Sequence, residues 1–116
     1  MASNRVKVSN WVKACAVKDI PLFEGRRTRI KGFYVGVFHT EEGFYAIGDI
    51  CPHSGGPLSD GIIAGTEVSC PLHNRRVALK SGEVVNDDLS CVPAFPVEVR
   101  DGTVYVNVSM LEESLI

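Results

Sequence analysis

Apolar residues in this chain fall in short runs separated by turn-forming residues: "WVKACAV" (11 to 17), "FYVGVFHT" (33 to 40), "FYAIG" (44 to 48) and "VEVRDGTVYVNV" (97 to 108). Each run is rich in β-branched or aromatic residues and has the length of a strand rather than a helix. In the last run Val97, Val99, Val104 and Val106 alternate around Asp101-Gly102, a pair suited to the positive φ angles of a two-residue turn. That pattern predicts a hairpin. Glu41-Glu42-Gly43 predicts a second hairpin, joining "VGVFH" to "FYAIG", and Ser81-Gly82 a third, between "RRVALK" and "EVV". Helical patterning is confined to "VKDI" (17 to 20) and the tail "MLEESLI" (110 to 116), so the expected fold class is all-β.

One stretch breaks the pattern. "DICPHSGGPLSDGIIAG" (49 to 65) holds four glycines and two prolines, the composition of an ordered loop with a purpose. The remainder is ordinary for a small globular domain: 116 residues with 45% hydrophobic and 22% charged residues, enough for one core and a single domain over 1 to 116. A formal net charge of -2 removes the electrostatic case for nucleic acid or an anionic membrane surface as partner. The opening "MASNRVKVSN" shows no signal-peptide pattern, and no stretch approaches the roughly 18 apolar residues of a spanning helix. The expected location is cytoplasmic, where cysteines beside histidines serve as ligands or reactive groups more often than as disulfides.

Two such pairs stand out. "CPHSGG" places Cys51 and His53 with one residue between them, and after sixteen intervening residues "CPLHNR" places Cys70 and His73 with two residues between them. Both side chains of a pair can face one point only if the backbone bends tightly. Pro52 and Pro71 restrict φ, and Gly55-Gly56 allow close backbone approach, so each motif suits a ligand-bearing loop tip. Two thiolates and two imidazoles can hold one zinc ion tetrahedrally, or a two-iron cluster with the thiolates on one iron and the imidazoles on the other. Structural zinc sites usually put two cysteines on one arm and two histidines on the other. Here each arm supplies one of each, which favours the two-iron centre.

"CPHSGGPLSDGIIAGTEVSCPLH" resembles the cluster-binding region of Rieske [2Fe-2S] proteins, and the likeness extends over nearly the whole chain. The resemblance implies three antiparallel sheets with two cluster-binding loops. It also implies that Cys51 and Cys70 bind one iron while His53 and His73 bind the outer, reducible one. Neither the membrane anchor nor the additional loop cysteines of respiratory Rieske proteins are found; Gly56 and Leu72 stand at those cysteine positions, and Asn74-Arg75 replaces a serine that often follows the second motif. With fewer hydroxyl donors to sulfur, the expected potential is about -150 mV to near zero, the lower end of the Rieske span.

Among soluble relatives, "WVKACAVKDIPLFEGR", "CPLHNRRVALKSGEVV" and "CVPAFPVEVRDGTVYV" are more similar to the small subunit of assimilatory NAD(P)H-dependent nitrite reductase than to ferredoxins of ring-hydroxylating dioxygenases. The ferredoxins commonly carry an aromatic residue and an aspartate where this chain has Val77 and Ala78. The resemblance thus implies electron transfer within a complex that reduces nitrite to ammonium, with a large flavin- and siroheme-bearing subunit or another redox protein as partner and no independent active site in this chain. A dioxygenase ferredoxin is the alternative, followed by a zinc-stabilised interaction module.

Other residues have plainer expected roles. Cys15 and Cys91, among apolar neighbours, read as small buried thiols, and His39 as a hydrogen-bonded or solvated surface residue. Trp11, Phe33, Phe38, Phe44 and Phe95 read as core. Arg26, Arg27, Arg29 and Lys31 form a charged strand face, solvated or docking an acidic partner. Arg75 and Arg76 follow a ligand directly, placed either to orient a partner or to bond loop carbonyls.

Overall fold

The computed structural model describes residues 10–51, 55–72, 75–85 and 91–109. Among these described residues ten strands follow in chain order: β1 (Trp11–Ala16), β2 (Gly25–Ile30), β3 (Phe33–Thr40), β4 (Gly43–Gly48), β5 (Ile62–Ala64), β6 (Glu67–Ser69), β7 (Arg76–Ala78), β8 (Ala94–Phe95), β9 (Val97–Arg100) and β10 (Thr103–Asn107). Single 3-10 turns lie at Val17–Asp19 and Leu58–Asp60. The strands pair antiparallel in three sheets, ordered β1-β10-β9, β2-β3-β4-β8 and β5-β6-β7. The all-β fold with three antiparallel sheets is therefore as the sequence implied.

The predicted hairpins form. Asp101 and Gly102 take φ 51° and 76° between β9 and β10, matching the right-handed twist of the flanking strands. Residues 41 and 42 join β3 to β4 in a register running from Thr40↔Gly43 to Val35↔Gly48. Around Ser81-Gly82 the pairing is reduced to a bridge, Val77↔Val84. The "VKDI" segment is the first 3-10 turn, while the tail 110 to 116 lies outside the described residues.

Alternation along β3 and β4 builds two cores, one on each face of the central sheet. Val35, Val37 and Ala46 face Ile20, Ile30, Phe95, Val104, Val106 and Val108, a cluster shared with β1 and β10. Phe38 and Ile47 face the other way, onto Leu58, Ile63, Val68, Val77, Leu79, Val84 and Val92, and this second cluster includes Cys51 and Cys70. Each fully buried aliphatic or aromatic side chain contributes about 1.5–3 kcal/mol relative to exposure, so either cluster alone can anchor its sheet.

The structure corrects several expectations. The middle stretch is more than a loop: Ile63 pairs with Val68 in a β5–β6 hairpin turned at Gly65 and Thr66. Of the aromatic set, Phe38 and Phe95 are buried and Trp11 and Phe44 half-buried, but Phe33 starts β3 directly after the Lys31-Gly32 turn and remains exposed. Cys91 is exposed beside its bridge to Glu83, and Cys15 is half-buried after a bulge that interrupts β1 between Lys13 and Cys15. His39 places Nδ1 2.8 Å from the Ile20 carbonyl and stacks on Phe44.

Candidate metal centre

Both cysteines of the paired motifs stand where a hairpin gives way to a loop. After β4, Asp49 and Ile50 lead to Cys51, whose amide donates to the Gly56 carbonyl at 2.9 Å, while the Gly55 amide donates back to the Cys51 carbonyl at 2.9 Å. The Ile50↔Pro57 bridge and the bond from the Leu58 amide to the Asp49 carbonyl, 2.9 Å, hold the base of this first loop. The second loop caps the β6–β7 hairpin: beyond the terminal Ser69↔Arg76 pair, the Cys70 amide donates to the Arg75 carbonyl at 2.8 Å. Gly61 lies so close to the Ser69 carbonyl that a Cβ there would collide with it, which locks the start of β5 to the residue preceding Cys70.

Cys51 and Cys70 are 1% and 4% exposed, carry thiols rather than a disulfide, and belong to one apolar cluster. Phe38 and Val92, distant from one another in sequence, are buried in the same cluster and help wall it off from water. Two soft sulfur donors buried in one apolar cluster, each at the mouth of a backbone-bonded loop, fit the sulfur-ligated half of a two-iron cluster. His53 and His73, which the sequence assigns to the other half, lie outside the described residues.

Beside the second loop a groove of about 560 Å³ is lined by Asp60, Gly61, Ile62, Ser69, Cys70, Pro71 and Leu72, with Ile62 76% and Leu72 63% exposed. Of the two arginines after the second motif, Arg75 supplies the carbonyl that closes the loop, and Arg76 pairs across β6–β7 with Glu67 at 3.2 Å. On the basic strand face, Arg26 pairs with Glu24 at 3.0 Å, and the Arg27 and Arg29 guanidinium groups lie over the Tyr34 ring.

Arg27 also reaches a residue that the sequence did not single out. Its Nε donates at 2.7 Å to Asp49, a carboxylate with 0% side-chain exposure two positions ahead of Cys51. The only signal in the sequence was an acidic residue directly after an apolar strand, and its partners lie 22 and 10 positions away.

Comparison with known proteins agrees with this geometry. Residues 10–107 match the family described as Rieske-like [2Fe-2S] domain. A dioxygenase ferredoxin subunit for 3-phenylpropionate and cinnamic acid from Photorhabdus laumondii is 30% identical over 102 residues, covering 82% of this chain and 91% of the relative. Among solved structures, one assigned as an NADPH nitrite reductase small subunit is 32% identical with a TM-score of 0.76, covering 83% of this chain and 96% of that one. Another, assigned as an NADH-dependent nitrite reductase small subunit from Mycobacterium tuberculosis, is 28% identical with a TM-score of 0.78, covering 83% and 92%. The chain belongs to the Rieske-like [2Fe-2S] domain family. It is an electron-transfer protein whose cofactor is a Rieske-type [2Fe-2S] cluster, and that cofactor displaces the zinc alternative.

Proposed function

We propose that Cys51, His53, Cys70 and His73 hold the cluster, and that the chain is the electron-carrying small subunit of an NAD(P)H-dependent nitrite reductase. The observation that carries the ligand assignment is the burial of Cys51 and Cys70 in one apolar cluster at the mouths of two loops. The cluster, when bound, exchanges one electron at a time. The protein supplies the rest: Phe38, Ile47, Leu58 and Val77 exclude water from the thiolates. His53 and His73 would each hold the cluster through one ring nitrogen and leave the other able to carry a proton, so the potential is expected to fall as pH rises past the point where that proton leaves the oxidised form.

Support for the nitrite reductase role comes from the likeness to the two small-subunit structures and from the motif "CPLHNRRVALKSGEVV". Val77 stands where dioxygenase ferredoxins commonly carry an aromatic residue, and it is wholly buried beneath the cysteines. The partner would be a large subunit carrying flavin and siroheme, in the cytoplasm; among the described residues no helix is long and apolar enough to cross a membrane. A second reading, a ferredoxin serving a ring-hydroxylating dioxygenase, draws on the curated relatives such as the Photorhabdus ferredoxin. Reduced protein mixed with each class of partner decides between them: oxidation by a siroheme nitrite reductase subunit and not by a dioxygenase is expected, and the reverse preference would overturn the first reading.

A further inference from the structure

Asp49 has all its polar atoms engaged, and its bonds to Leu58 and Ser59 close the base of the first loop. Its amide donates to the Tyr34 carbonyl at 3.0 Å and its carbonyl accepts from the Leu58 amide at 2.9 Å. Oδ1 accepts from the Ser59 amide at 2.6 Å, and Oδ2 accepts from the Ser59 hydroxyl at 2.8 Å and from Arg27 Nε at 2.7 Å. One residue therefore ties the strand leading into the loop, at position 49, to the 3-10 turn leading out of it, at Leu58 and Ser59.

The surroundings are shaped for this carboxylate. Gly36, its neighbour on β3, leaves the space: a Cβ there would sit 2.6 Å from Oδ1. Arg27 is fixed in turn, its guanidinium 4.2 Å from the centre of the Tyr34 ring. A buried charge is costly unless it is paired and its lone pairs are satisfied, and a loop base could be closed more cheaply by apolar packing or by a neutral side chain. The positioning of a full negative charge and its counter-ion two residues from Cys51 requires another explanation.

We propose that the Asp49–Arg27 pair is a positioning and electrostatic element of the centre, holding the first ligand loop in place and setting the reduction potential through two opposed charges. The inference rests on Cys51 being a ligand. Reduction adds negative charge to the centre, so a nearby carboxylate opposes it and a nearby guanidinium favours it. Removing one member of the pair leaves the other uncompensated, and the two removals act with opposite sign.

The test is a redox titration of holoprotein, followed by electron paramagnetic resonance, with iron and acid-labile sulfide measured on each sample. Asp49→Asn, which keeps the shape, is expected to shift the potential upward. Arg27→Gln is expected to shift it downward, Arg27→Lys to leave it near the parent value, and the Arg27→Gln/Asp49→Asn double variant to return toward the parent. If Asp49→Asn fails to hold the cluster, Arg27→Gln decides alone, since Arg27 lies on a partly exposed strand face. Unchanged potentials in cluster-loaded single variants, or shifts of the same sign in both, would overturn the proposal while leaving the ligand assignment standing. A parent protein without iron and sulfide would instead overturn the ligand assignment.

Discussion

The two cores on opposite faces of the central sheet are made of the same aliphatic material but closed in different ways. The one shared with β1 and β10 is sealed by longer strand ladders, interrupted by the bulge between Lys13 and Cys15, with Val104 and Val106 paired to β1 and β9. The other is sealed by three-residue strands, a 3-10 turn and two loops, and it carries two thiols within its apolar wall. Ladders carry their own backbone hydrogen bonds and tolerate change. Loops depend on single bonds at their bases and on whatever ligand they hold. The difference predicts that folding and cofactor retention are separable in this molecule.

Loss of a sulfur ligand should break the comparison most completely. Cys70→Ser is expected to abolish iron and sulfide binding while far-ultraviolet circular dichroism still reports the β fold, because metal binding is coupled to loop order rather than to the strand ladders. Full iron retention would show that Cys70 is not a ligand.

A matched pair of cavity variants sharpens the contrast. Ile20 and Leu58 are both fully buried, one in each core, and truncation of either to alanine should cost about 2–5 kcal/mol in denaturant unfolding. Leu58→Ala alone should also speed loss of iron to a chelator, since Leu58 lies beside the cysteines and its amide closes the first loop. Equal iron loss from both variants would mean that the cores are not independent.

Gly61→Ala should cost roughly 1–3 kcal/mol, the range for inserting a methyl group into a packed site, because the new Cβ meets the Ser69 carbonyl. Hydrogen exchange should rise in β5 and β6 and stay unchanged in β1, β9 and β10.

The smallest effect concerns Cys15. Burial, then the nearby Asp19 carboxylate, pushes its thiol above the ordinary value, with Arg26 pulling weakly the other way. The folded state thus keeps the proton to higher pH than the unfolded chain does. The resulting stability is complete below the ordinary thiol range, about 8.5, and is lost as pH rises through the raised folded value. In mildly alkaline iodoacetamide, exposed Cys91 should be modified before half-buried Cys15, a sequence readable by peptide mass.

How much of this was legible in the sequence follows the same division. Strands long enough to show alternation, such as Phe33–Thr40 and Thr103–Asn107, could be seen directly, and Asp101-Gly102 named its own turn. Ile62–Ala64 and Glu67–Ser69 are too short to show a period, and the glycines around them pointed to loop. The paired motifs made Cys51 and Cys70 visible because their spacing is local and distinctive. Asp49 stayed hidden because its significance comes from Arg27 and Ser59, which only the folded chain brings to it. The exposure of Cys91 and Phe33 was equally illegible, since apolar neighbours in sequence do not say which side of a strand end is covered.

The most direct measurement is the metal and sulfide content of protein purified anaerobically, joined to the electron paramagnetic resonance spectrum of its reduced form. The account predicts equal iron and acid-labile sulfide, two of each per chain, with an average g value below two. Stoichiometric zinc without sulfide would contradict it.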